Sequence, residues 1–520
     1  MKKQLLSTIF MAIGLASFAQ QTTPADALRL AITDLNGTAR FRGMSGAFGA
    51  VGGDLSAINI NPAGSAIFSH NSGTGTVGLF NTKNNSNYFG TSSSDSESIF
   101  DINQLGAVFV FNDNSQKTDW KKIAVAINYE MNNNFDNSFY SRGTNPDTSI
   151  GNYFLGFANG ANSGNAIPVE LVETQPGETI SELYSYLATL PNGSYPNING
   201  FNAQQAMLGY QAFLYDYDNV NNIYTSNIPP GTFYQENNVM TTGYNGKITA
   251  NVATQYNDKL YLGINLNAHF TDFRKSSSVY ERNTNNPALG VQEIQFDNEL
   301  YTYGGGFSFN LGLIANLTKE FRAGLAYESP TWYRLNDELS QRLIAVSTDG
   351  TDVYTDAADP GVINIYEPYK IQTPGKFTGS LAYIFGKNGL ISFDYAVKDY
   401  SNTQFRPKRE QAFRDLNSLM SDQLTTASEY RIGAEYRIKQ ASLRAGYRYE
   451  ESPYKNGRTI GDLTGYTAGL GYNFKGSRLD LAYSFSKRDS EMQFVSSGMT
   501  DAAKISSKNN NILVSYTIDF

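Results

Sequence analysis

Cysteine is absent from all 520 residues, and that absence removes several chemistries at once. There can be no disulfide framework, thiolate metal site, cysteine nucleophile or lipidated N-terminal cysteine. Histidine is nearly absent too, with only His70 and His269. A haem receptor with axial histidine, or a hydrolase with a histidine base, has just these two to draw on. Charge is sparse. Charged residues make up 17%, the net charge is −8 and the pI is about 5.1, which argues against a general nucleic-acid binder. Past the N-terminus, no uninterrupted apolar stretch reaches the roughly 20 residues that a spanning helix needs.

What is present is glycine (47), tyrosine (35) and phenylalanine (32). Disordered chains are poor in aromatics, so a content of 13% excludes disorder. Yet the mean hydropathy is −0.38. The chain is rich in large rings and polar on average.

The first residues read as an export signal. Lys2 and Lys3 precede an apolar run from Leu5 to Leu15, followed by Ser17-Phe18-Ala19. A positive start, a short apolar stretch and small residues at −3 and −1 describe a secretory signal peptide, residues 1–19, cleaved after Ala19. The exported chain is then either soluble or a membrane protein built from strands.

Period-two patterning decides between them. Leu260, Leu262, Ile264, Leu266, Ala268 and Phe270 alternate with residues that include Asn265, Asn267 and His269. Leu479, Leu481, Tyr483 and Phe485 alternate with Asp480, Ser484, Ser486 and Arg488. Tyr430, Ile432, Ala434, Tyr436 and Ile438 interleave with Arg431, Glu435, Arg437 and Lys439. Charges of both signs on one strand face suit a wet lumen better than a packed core. Fourteen such segments can be marked, at 73–81, 104–112, 121–131, 243–256, 259–273, 299–316, 320–331, 375–386, 389–399, 428–438, 440–450, 462–474, 477–488 and 509–520. Most reach the roughly 9–11 residues that a tilted membrane strand requires.

The connections sort by parity. From the second strand onward, every other link is short: 113–120, Asn257-Asp258, 317–319, Lys387-Asn388, Lys439-Gln440 and Lys475-Gly476. The alternate links are long: 82–103, 132–242, 274–298, 332–374, 400–427, 451–461 and 489–508. A soluble sandwich has no reason to do this. An outer-membrane barrel does, because its periplasmic turns are short and its extracellular loops long. That arrangement puts both termini on the periplasmic side. The chain closes on Ile512, Val514, Tyr516, Ile518 and a terminal Phe520, which resembles the aromatic signal read by the barrel-assembly machinery. The expectation is an all-β fold, a 14-stranded antiparallel transmembrane β-barrel spanning 71–520, in the outer membrane of a Gram-negative bacterium.

Residues 20–70 do not follow the barrel pattern. They carry Gly37, Gly43, Gly46, Gly49, Gly52, Gly53 and Gly64, with Arg40, Arg42 and Asp54 between. Too few large apolar groups are present for this segment to fold alone. A periplasmic tail, a linker and a plug inside the lumen are the readings. A fourteen-stranded lumen is wider than the side-chain-filled eight-stranded case. Lumenal Asn, Arg and Glu could partner a plug's backbone.

Gly43-Met44-Ser45-Gly46-Ala47, Asp54-Leu55-Ser56-Ala57 and Asn59-Ile60-Asn61-Pro62-Ala63-Gly64 together resemble the N-terminal hatch of the FadL family of long-chain fatty-acid and hydrocarbon transporters. The resemblance in motif covers about residues 35–70. It implies a hatch plugging the lumen and passive movement of hydrophobic compounds such as long-chain fatty acids. It also implies sideways exit near a kinked third strand, here Ile123–Met131, with Asn61, Pro62, Ala63 and Gly64 as the gate. Pro62 lacks an N–H and pushes Asn61 toward an extended conformation. The same residues could merely turn the chain into the first strand. The chain departs from the family pattern in its largest loop, 132–242, which follows the third strand rather than coming later.

That loop carries apolar candidates for substrate capture: Leu183 and Leu187 at helical spacing with Tyr184 and Leu190, then Met207, Leu208 and Phe213. They could instead pack a loop subdomain. Arg406, Lys408 and Arg409 could meet a carboxylate or lipopolysaccharide phosphates, or simply be solvated. No enzymatic activity, cofactor, metal or nucleic acid is expected. The expected partners are hydrophobic solutes, outer-membrane lipid and lipopolysaccharide, and the protein is expected to act as a monomer. The rival readings are an adhesin or structural barrel, a haem receptor and an open porin. In a planar bilayer a porin should be open and a hatched transporter nearly closed, and removing residues 20–60 should then open the latter.

Overall fold

The structure, a computed structural model, describes residues 23–113, 117–160, 165–190, 195 and 198–520. The expected signal peptide, 1–19, and the first residues of the expected hatch, 20–22, lie outside the described residues. Fourteen antiparallel strands close into a barrel. They are β1 (Ser72–Tyr88), β2 (Thr91–Asn112), β3 (Trp120–Asn134), β4 (Phe233–Tyr256), β5 (Leu260–Asn283), β6 (Gly290–Asn316) and β7 (Phe321–Glu328), then β8 (Lys376–Ile384), β9 (Gly389–Asp399), β10 (Thr426–Ile438), β11 (Ala441–Glu450), β12 (Ile460–Asn473), β13 (Ser477–Gln493) and β14 (Ala502–Asp519). Each pairs with its neighbours in sequence, and β1 pairs with β14 from Ser72↔Asp519 to Asn87↔Lys504, so the ring closes on itself. All fourteen marked segments fall on these strands.

The alternation works as the pattern requires. Ile264 and Leu266 of β5 face outward and exposed, while Asn265, Asn267 and His269 are buried inside. Ile512, Val514, Tyr516 and Ile518 of β14 form the same kind of outward row. A residue on the lipid side needs no polar partner, whereas a lumenal one finds its partners inside.

The expected loops differ from what is observed. The 82–103 link is not a loop: β1 and β2 run on to a two-residue turn at Phe89-Gly90, where both φ are positive and Tyr88 pairs with Thr91. Similarly, β5 and β6 extend well past the apolar band, and the strand Trp332–Thr348 pairs with β6 from Phe307 to Gly290. The ladder continues where the apolar alternation stops, since the outward residues become Ser, Asn and Lys above the lipid. Apolar patterning reports the lipid belt, not the full strand.

The 132–242 stretch is a folded cap rather than an open loop. After β3 it forms a strand, Asn137–Asn145, paired with β4, and then helices. Its buried side chains pack with Val279, Ile294, Phe296, Leu343 and Phe494 from neighbouring strands and loops. The cap sits at the long-loop end of the barrel. The lumen below it is filled by residues 23–71, with helices α1 (Pro24–Ala31), α2 (Ala39–Arg42) and α3 (Ala57–Ile60).

Candidate functional site: the hatch and the wall it faces

Residues 27–66 are almost wholly buried, although they contain few large apolar groups. Polar contacts to the wall hold them. Arg40 donates to both oxygens of Glu435 on β10, at 2.9 and 3.3 Å. The same carboxylate accepts from Arg444 at 2.7 Å and Arg437 at 2.6 Å, and Arg444 also donates to Asp480 at 2.7 Å. Glu435 and Arg444 side chains are each 1% exposed. The bidentate geometry suits a planar guanidinium. It explains why charges of both signs line one strand face: they clamp an inserted segment. Elsewhere Asp394 of β9 accepts from the amides of Phe48 and Gly49, each at 3.0 Å, and Ser515 of β14 accepts from Ala39 N at 2.6 Å.

The motif Asn61-Pro62-Ala63-Gly64 is buried against β4 to β7. Asn61 Nδ2 donates to Gly49 O at 2.7 Å and to Leu313 O at 2.9 Å, and its Oδ1 accepts from Ala63 N at 3.1 Å. Pro62 O accepts from Asn251 Nδ2 at 2.9 Å. The wall opposite Pro62 is glycine, Gly263 on β5 and Gly312 on β6. A Cβ at either would collide with the Asn61-Pro62-Ala63 backbone or side chains. The extended Asn61 (φ −139°, ψ 109°) is the conformation that a following proline favours.

A second hatch segment meets the wall at β2 and β3. Their ladder runs from Asn112↔Lys122 only to Gln104↔Glu130. Just above, each strand carries one extra residue, Asn103 in β2 and Asn132 in β3. Residues 32–37 fill the place between them. Asn132 O accepts from Asp34 N at 3.0 Å and from Asn36 Nδ2 at 3.2 Å. Asn103 accepts from Gly37 N at 2.6 Å and donates to Asn36 Oδ1 at 3.0 Å, and Asn133 donates to Ile32 O at 2.9 Å. Ile123–Met131, the wall segment expected to be interrupted, is continuously paired to β4. On its other edge the pairing to β2 ends at Glu130, within the same segment, and the hatch element at that break is 32–37. Asn61-Pro62-Ala63 lies elsewhere on the wall. Asparagine is common at turns, so neither bulge announces itself in the sequence.

Further up, α1 sits in an apolar pocket. Ala27, Leu28, Leu30 and Ala31 pack with Phe135, Phe273, Tyr333, Ile371, Phe405 and Phe413. The Arg29 guanidinium lies 3.6 Å over the Phe273 ring, and Lys398 donates to Ala31 O at the helix end. The start is fixed by Pro24 and by Thr23 bonding Asp26 Oδ2 at 2.8 Å. This pocket was not evident in the sequence, because its walls come from segments spread over nearly 300 residues.

In the cap, Leu183, Leu187, Met207 and Leu208 are each 2% exposed or less and pack with one another, on the helices Ile180–Ala188 and Gly200–Gln211. Of the five capture candidates Phe213 is exposed, at 41%. A polar chain runs through this core, in which Gln205 Nε2 donates to Gln341 Oε1 at 2.7 Å and Tyr184 OH to the same oxygen at 3.1 Å. Arg406 donates to Gln372, whereas Lys408 and Arg409 are exposed. His269 lies in the lumen beside Ser308 (2.8 Å) and Tyr333, and His70 is at the opposite end of the barrel near Asp519. The two are not brought together. Among the described residues no group of His, Asp and Glu is arranged to hold a metal.

Comparison with known proteins agrees with this architecture. No curated protein matches the chain. Among solved structures, a Pseudomonas aeruginosa FadL homologue superposes with a TM-score of 0.53 at 12% identity, covering 94% of this chain and 100% of that one. The Pseudomonas putida toluene transporter TodX does so with a TM-score of 0.50 at 17% identity, over 94% and 99%. At those identities the likeness establishes the fold. A family model for outer membrane protein transport proteins (OMPP1/FadL/TodX) matches residues 187–520, most of the barrel but not the hatch. With more than half of its length matched, the chain belongs to the OMPP1/FadL/TodX family of outer membrane transport proteins.

Proposed function

We propose that this protein passes long-chain, fatty-acid-like apolar compounds across the outer membrane by passive diffusion gated by its hatch, with sideways exit between β2 and β3. The long-loop end faces outside and both termini face the periplasm. Sugars and charges of the outer leaflet repel greasy solutes, so the protein's task is to supply an apolar path past them. The cap receives the solute. The pocket occupied by α1 offers an apolar enclosure of suitable chemistry, and a solute entering it displaces Leu28 and Leu30. Moving α1 pulls on Ile32–Gly37, and that segment covers the bulged wall.

The paired bulges at Asn103 and Asn132, bridged by Asp34, Asn36 and Gly37, carry this reading. Above Gln104 and Glu130 the two strands share no ladder, and the hatch supplies the bonds that the wall lacks. Phe100 and Ile102 of β2 face outward beside the break, 68% and 54% exposed, so an emerging solute would meet acyl chains. The side chains of Asn36 and Asn103 already touch, so Asn36→Cys with Asn103→Cys in this cysteine-free chain can tie hatch to wall. Uptake of a labelled fatty acid should stop on oxidation and return on reduction. Undiminished uptake by the oxidised pair would refute exit at this place.

A further inference from the structure

The outer wall above the lipid belt carries a row of like charges. Lys83 of β1 lies directly opposite Lys508 of β14, and Lys508 lies directly opposite Lys487 of β13. All three are exposed and outward-facing, on the same strand face as Leu79, Ile512 and Tyr483. Strands stand about 4.8 Å apart, so three ammonium groups share a short arc of wall, and like charges placed directly opposite one another destabilise a sheet. Lys487 has Asp489 at 3.1 Å. Among the described residues neither Lys83 nor Lys508 has an ion-pair partner. The Asp489 carboxylate also acts on Lys508, and one carboxylate among three ammonium groups leaves the row net positive and open to an external anion.

Its surroundings say which. Four residues down the strands, Phe100, Leu79, Ile512 and Tyr483 form a continuous exposed apolar row across β2, β1, β14 and β13. At about 3.3 Å per residue the lysines stand about 13 Å further along the strands, clear of the acyl region. Above them opens a cleft of about 800 Å³ whose lining includes Asn85, Asn87, Ser92, Ser94 and Arg458, with Asp489 and Glu491. Apolar wall, cation row and a cleft of hydroxyls, amides and charges thus follow in one line. A ligand matching that order has acyl chains, then phosphate, then sugar.

We infer that the face formed by β13, β14, β1 and β2 is a binding site for lipopolysaccharide, with Lys83, Lys487 and Lys508 on the lipid A phosphates and the Asn/Ser cleft on the adjoining sugars. Lysine serves as a point charge for phosphate, and a headgroup contacted from several sides is held more specifically than by diffuse surface potential. The site is separate from the solute path and rests only on the outward orientation of the long-loop end. It gives the barrel a fixed lipid neighbour beside β2, the strand whose upper part lacks a β3 partner.

The test uses the full mature chain refolded in phosphate-free detergent. Native mass spectrometry reads retention of lipid A carrying two phosphates, the same lipid after phosphate removal, and phosphatidylglycerol. K83S/K487S/K508S should weaken lipid A retention at least tenfold, and phosphate removal should do the same to wild type. The triple arginine variant should retain binding, and inorganic phosphate should not displace the lipid. A control triple, K387S/K439S/K475S at the short turns, should bind as wild type, and heat-modifiable gel migration checks folding. The site is overturned if the triple serine variant keeps wild-type retention, if phosphatidylglycerol binds equally well, or if free phosphate competes. Labelling Lys508→Cys on intact cells with an impermeant maleimide tests orientation separately. An unlabelled cysteine would sink the orientation, and with it this site, whatever the lipid data.

Discussion

Arg40 offers the sharpest test of hatch gating, because one side chain on the hatch meets a carboxylate fixed in the wall. Arg40→Met keeps much of the apolar stem and removes the guanidinium that bridges Glu435 and, at 3.0 Å, Gly53 O. Breaking a buried ion pair costs about 3–5 kcal/mol when the remaining charge is left unpaired. Here Glu435 keeps Arg437 and Arg444, so the low end, about 3 kcal/mol, applies. The barrel wall holds its own pairs, and the loss falls on the hatched state alone. At 1.4 kcal/mol per tenfold, the open fraction should rise about 100-fold. Single-channel recording in a planar bilayer reads this directly: the wild type nearly closed, a 20–60 deletion open, R40M between them with frequent openings. Because the pair is buried, raising salt should open the wild type little beyond the change in bulk conductivity. If R40M conducts within twofold of wild type while the deletion conducts freely, the clamp does not hold the hatch, and the reasoning fails.

Three further outcomes are expected. Gly312→Ala puts a methyl into Asn61 and Pro62 and should expose the hatch to added protease, without loss of the heat-stable barrel band. Leu28→Ala opens a cavity in the α1 pocket at a cost of about 2–5 kcal/mol, so hydrogen exchange at residues 26–32 should speed up while the β5 amides stay protected. If both speed up together, α1 is not a separable plug. Gln205→Leu removes one hydrogen bond each from Gln341, which keeps Tyr184, and from Tyr153 in the cap core, and should cost about 1–3 kcal/mol, seen as a lower melting temperature of the cap helices with the barrel unaffected.

Much of the barrel was legible because its pattern is local. Leu260 to Phe270 alternate within eleven residues, and whether a side chain faces lipid or lumen depends on its parity alone. Strand length was less legible. From Asn81 and Ser98 upward the outward face loses its apolar residues while the ladder continues, so the hydropathy pattern ended where the lipid ended. The cap candidates illustrate another limit. Leu183, Leu187, Met207 and Leu208 read equally as a capture surface or as core, and only packing against Phe296 and Leu343 puts them inside. The hatch motif pointed to a segment lodged in the lumen but not to where each part lies. Asn61-Pro62 rests on glycines of β5 and β6, and the wall's break is met by residues 32–37.

By itself the sequence determined the number of strands, their order, the parity of their links and which face of each is greasy, since all of these follow from a two-residue repeat and the spacing of its interruptions. The tertiary structure decided what fills the cylinder. Arg40 finds Glu435 across 395 residues, Asn36 finds Asn103, and Leu28 finds a pocket walled from distant loops. Such pairings depend on where the closed wall brings side chains together. A polar residue in the lumen is compatible with many partners, and only the closed ring selects one.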